Sequence, residues 1–113
     1  MVKTLKGKDL VPGKLYTFWG RNNTFSWSIF NERPTLMFFN RPNALDLVVK
    51  LFPLETFVFL ERQESDLRFN PEDQLYDYKI ITSGGYVGWM SLHDDDLEYM
   101  KISFRECKTH KKK

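Results

Sequence analysis

Apolar and polar residues alternate with a period of two along most of this chain, and clusters of turn-forming residues interrupt the alternation every few positions. In Lys14–Trp19, Leu15, Thr17 and Trp19 point one way and Tyr16 and Phe18 the other. Phe25–Phe30 sets Phe25, Trp27 and Ile29 against Ser26, Ser28 and Phe30, and Leu36–Phe39 follows as a third strand. Thr56–Arg62 is the clearest central strand, with Phe57, Phe59 and Glu61 on one face and Val58, Leu60 and Arg62 on the other. Leu75–Thr82 and Tyr86–Met90 pair as a hairpin across Gly84-Gly85, and Leu97–Phe104 is the last strand. Turns are expected at Asp9–Gly13, Gly20–Thr24, Asn31–Pro34, Asn40–Asn43 and Ser91–Asp96, with Gln63–Gln74 a long exposed loop. Ala44–Phe52 carries Leu45, Val48, Val49 and Phe52 at helical spacing, but Pro53 and the Val-Val pair favour an irregular or extended segment.

Strands this short, broken this often, predict an all-β domain of five to seven strands, a small barrel or sandwich. Curling the sheet onto itself removes the open edges that a small β protein must otherwise protect. Residues 1–8 read as a loose lead-in, 9–104 as the single domain and 105–113 as a basic tail.

The second half of the chain resembles the bacterial Src-homology-3-like small barrels over roughly residues 50–102. The run is Phe52-Pro53-Leu54-Glu55 before the strand Thr56–Glu61, a variable loop Arg62–Gln74, the strand Tyr76–Thr82 and the turn Gly84-Gly85. Gly88-Trp89-Met90 and a short helical turn over Ser91–Asp96 complete it. The resemblance implies that Lys14–Trp19 opens the barrel, that Gly20–Asn43 is an enlarged first loop carrying its own hairpin, and that Trp89 packs across the barrel mouth. Gly88 lets a neighbouring strand or ring cross closely. The tyrosines, tryptophan and Pro-Tyr pair with which eukaryotic members bind proline-rich peptides are absent in register, so that activity does not carry over. Small barrels of this look also occur among tailed-bacteriophage proteins, which suggests a phage protein acting on a host protein.

Charge narrows the choice of partner. The 113 residues carry 17 basic and 15 acidic side chains, net +2. Arg105 and four lysines against Glu106 give residues 105–113 a net +4, which leaves residues 1–104 at −2. A mildly acidic body does not demand a polyanion. One cysteine, Cys107, excludes an internal disulfide and favours a reducing, cytoplasmic setting. No apolar run approaches the ~20 residues of a membrane span, and no membrane partner is expected.

Candidate chemistry is sparse. Asp94-Asp95-Asp96 with His93 lacks the alternating oxygen ligands and glycine of a calcium loop and reads as a solvated turn. No metal, cofactor or catalytic constellation is expected, and the chain reads as a non-enzymatic module. Aromatic residues are 16% of the chain, and Tyr16, Phe18, Trp19, Phe25, Trp27, Phe30, Phe38 and Phe39 crowd into about 25 residues, with Arg21, Arg33 and Arg41 in the turns between. They either form the core and a second hairpin layer, or exceed what one small barrel interior holds and leave an exposed patch suited to a partner. On the second reading the expected partner surface is Trp19, Arg21, Phe25, Trp27, Arg33 and Phe39, beside Asp94 and Asp95, presented to a protein. Two other functions compete: nucleic-acid binding, with Arg21, Arg33, Arg41 and the tail lysines on phosphates, and a structural subunit that self-associates, so that the chain is a monomer or a weak homo-oligomer.

Overall fold

The computed structural model describes residues 4–20, 26–33, 47–67, 70 and 72–107. Among them run seven strands: β1 (Leu15–Gly20), β2 (Trp27–Phe30), β3 (Leu47–Leu51), β4 (Thr56–Glu64), β5 (Leu75–Thr82), β6 (Val87–His93) and β7 (Ile102–Glu106). One short helix, α1 (Asp94–Tyr99), joins β6 to β7. All pairings are antiparallel, in one curled half-barrel sheet of order β3-β2-β6-β5-β4-β1-β7. The described residues are thus all-β with almost no helix. None of the described helices is long and apolar enough to cross a membrane.

The period-two pattern supplies the core. Tyr16, Phe18, Phe57, Phe59, Tyr78, Ile80, Met90, Leu92 and Phe104 all face the concave side and are buried. Burying each such side chain contributes roughly 1.5–3 kcal/mol. The two ends of the sheet meet through side chains. Trp27 of β2 lies 4.0 Å from Phe18 of β1 and 6.5 Å from Phe104 of β7, measured between ring centroids. Aromatic packing across the open side therefore does what hydrogen bonds do in a fully closed barrel.

Gly88 is the close-approach residue its sequence position predicts. A Cβ there would lie 2.5 Å from Ile29 Cγ2 and 2.6 Å from the Phe30 carbonyl oxygen. That clearance lets β2 reach β6, where Phe30 pairs with Trp89.

Four expectations are corrected. A bulge between Phe59 and Glu61 shifts the β4–β5 register, so Glu61 opposes Lys79 and Arg62 opposes Tyr78. One extra residue exchanges the faces: Arg62, expected to lie opposite Phe57 and Phe59, turns inward beside Tyr78, and Glu61 turns out. Leu97–Tyr99, expected in the last strand, belongs to α1, because Leu97 buries itself on one side of a short helix. The loose lead-in is docked from Leu5 on: Leu5 bridges Phe104, and Gly7–Asp9 forms a 3-10 turn with Gly7 buried. Trp89, on the residue parity of Asp77 and Ser91, lies on the convex face and not across the barrel mouth. The extended reading of Ala44–Phe52 becomes β3 from Leu47 on, whereas Leu36–Phe39 lies outside the described residues.

Candidate functional site

Two arginines organise the polar surface, one on each face of β4–β5. On the convex face Asp77 is fully buried, an unusual place for a carboxylate. Register sets it opposite Ser91, whose Oγ donates to Asp77 Oδ1 at 2.7 Å. Arg33 comes in from the turn after β2 and donates from Nε to Asp77 Oδ2 at 2.8 Å. Its Nη2 donates to the Glu64 carbonyl, and its guanidinium carbon stands 6.0 Å from the centroid of the Trp89 ring. Both Asp77 oxygens are satisfied, as a buried charge requires.

At one end of the concave face the Arg62 guanidinium stacks 3.6 Å over Tyr76. Its Nε donates to the Tyr78 hydroxyl at 3.0 Å, and its Nη2 reaches Asp94 Oδ2 at 3.4 Å. Desolvation pushes the Tyr78 phenol up to about 12, against the opposing pull of the Arg62 hydrogen bond and charge. Asp94 N–H donates to the Gln74 carbonyl, so the end of the β4–β5 loop is tied to the start of α1.

Among the described residues, the expected partner residues Trp19, Trp27, Arg33, Asp94 and Asp95 do not form one patch. Trp19 faces the convex side of β1, beneath the Arg105 guanidinium at 4.3 Å. Trp27 faces the core. Arg33 is committed to Asp77 and Glu64. Asp94 is paired with Arg62, whereas the side chain of Asp95 is 79% exposed. Arg21, Phe25 and Phe39 lie outside the described residues.

Among the described residues the exposed large apolar groups lie elsewhere. Val11 stands alone, and the others pair up in sequence: Phe52 with Leu54 before β4, Tyr86 with Val87 in the β5–β6 hairpin, and Tyr99 with Met100 at the end of α1. Tyr99 stands out at 87% exposure. It lines a shallow open depression with Asp95, Glu98 and Lys101. The backbone there is strained, since Lys101 ends the helix at φ 59°, where glycine is the usual residue. A non-glycine residue held there costs on the order of 1 kcal/mol. Sequence reasoning missed this site because Tyr99 and Met100 fit an alternating strand as readily as a helix end.

Among the described residues no three His, Cys, Asp or Glu side chains gather as a metal site. Cys107 is half-buried, and burial raises its thiol pKa. No protein-family model, curated protein or solved structure matches this chain.

Proposed function

We propose that the chain is a non-enzymatic protein-interaction module on a Src-homology-3-like small barrel, and that Tyr99 and Met100 are the centre of its partner surface. The single observation that carries the functional reading is Tyr99, 87% exposed at a strained helix end. Tyrosine is a preferred anchor in protein interfaces, and strain concentrates where function holds it. Asp95, Glu98 and Lys101 line the depression with the ring, so the partner offers an apolar pocket with a mixed, mainly basic rim.

The barrel reading draws support from connectivity. With β2 and β3 set aside as an insertion, the remaining order is β6-β5-β4-β1-β7, with α1 between β6 and β7. In chain order β1, β4, β5, β6, α1 and β7 follow one another as the elements of that resemblance do, which supports the reading. The nucleic-acid alternative is weakened by Arg33, whose charge is spent on Asp77 within the fold. A protein acting on a host protein, as in a phage, fits the same surface.

Affinity capture from a native extract, with and without nuclease, tests the reading. A protein partner that survives nuclease supports it. A signal that disappears with nuclease replaces it with the nucleic-acid alternative.

A further inference from the structure

β7 is a border of the sheet. Among the described residues, the pairing on that border is one bridge from the chain's own N-terminal strap. Leu5 N–H donates to the Phe104 carbonyl at 2.8 Å, and Phe104 N–H donates back to Leu5 at 2.9 Å. Leu5 packs against the core and Leu10 is buried in it. Between them Gly7 sits so near Tyr78 that a Cβ would fall 1.8 Å from the phenol oxygen. The strap is therefore a fitted edge cover, seated by one bridge, two apolar anchors and one glycine clearance.

All of these contacts depend on a single turn. Gly13 holds φ 88° after Pro12, with Lys14 N–H donating to Val11 O at 3.2 Å and Gly13 N–H to Phe59 O at 2.8 Å. We propose that the strap Thr4–Leu10 exchanges between two copies of the chain. Opened at Pro12-Gly13, the strap of one copy seats on the β7 border and Tyr78 of the other, and the reciprocal exchange closes a two-fold dimer. The occupant is a second copy because the seat already displays complementarity to this one segment. The β7 border of each copy stays covered, so exchange by the strap ends at the dimer. This inference is independent of the Tyr99 surface.

Gly13→Val tests it. A β-branched residue at that φ penalises the closed turn and leaves an extended hinge unaffected. Sedimentation velocity of the full chain, from about 5 to about 500 µM, is expected to show the variant dimerising at least about tenfold more tightly than wild type. Adding Gly7→Leu, which cannot seat on Tyr78 in either copy, is expected to return the variant to a folded monomer, judged by near-ultraviolet circular dichroism. Gly13→Ala at the same φ gives the same ranking if the valine variant is unstable. A hinge variant that stays monomeric throughout, or a dimer that persists with Gly7→Leu, overturns the proposal.

Discussion

Arg33 and Asp77 are 44 positions apart, yet Arg33 Nε donates to the fully buried Asp77 carboxylate at 2.8 Å. This pair fastens the turn after β2 to the centre of the sheet. Removing one partner leaves a charge in a place that water does not reach. Arg33→Met is therefore expected to destabilise the fold by about 3 kcal/mol. Urea denaturation measures it, and Arg33→Met/Asp77→Leu is expected to lose much less than the two single changes together. A single variant with an unchanged midpoint would return Arg33 to the list of free partner residues.

Gly88 is a steric requirement of the β2–β6 junction. Gly88→Ala places a methyl against Ile29 and the Phe30 carbonyl, and backbone cannot step aside as a flexible side chain can. The expected loss is about 2 kcal/mol. At exposed Gly84, where the nearest atom is a Tyr86 ring carbon 3.3 Å away, alanine is expected to cost less than about 0.5 kcal/mol. Thermal melts of the two variants side by side check the contrast.

Tyr78 makes stability depend on alkaline pH. Its phenol stays protonated up to about 12 in the fold, against 10 in the unfolded chain. The stabilisation is fully present below pH 10 and is lost as pH rises through 12, because over that window the unfolded chain binds fewer protons. The loss is about 2 to 3 kcal/mol. Tyr78→Phe is expected to flatten this part of the profile relative to wild type. Denaturant titrations at stepped pH would read the difference.

How much of this was legible in the sequence depends on the range of the interaction that decides each feature. Alternation alone groups Tyr16 with Phe18 and Phe57 with Phe59, and locates the Gly84-Gly85 hairpin, since neighbours in sequence settle which residues share a face, though not which face is the core. Nothing beside Asp77 in the sequence marks it for burial, and only Arg33, far along the chain, makes that burial tolerable. The β4 bulge is equally hidden, because Thr56–Arg62 alternates without a break and the register shift arises from pairing with β5. The basic, polar look of residues 1–8 conceals Leu5 and Gly7. Tyr99 and Met100 were missed for a subtler reason: LEYMKISF alternates, while Leu97 is buried from a helix.

Trp27 separates the interaction surface expected from sequence from the one proposed from geometry. Its ring packs on Phe18 at 4.0 Å, so Trp27→Ala is expected to cost about 3 kcal/mol and to report on folding. Tyr99→Ser/Met100→Ser touches exposed side chains and is expected to change stability by less than about 0.5 kcal/mol.

The most direct measurement is nuclease-treated affinity capture from a native extract, comparing wild type with Tyr99→Ser/Met100→Ser. A protein held by wild type and released by the equally stable double variant is the predicted result. A protein retained equally by both would contradict the central claim.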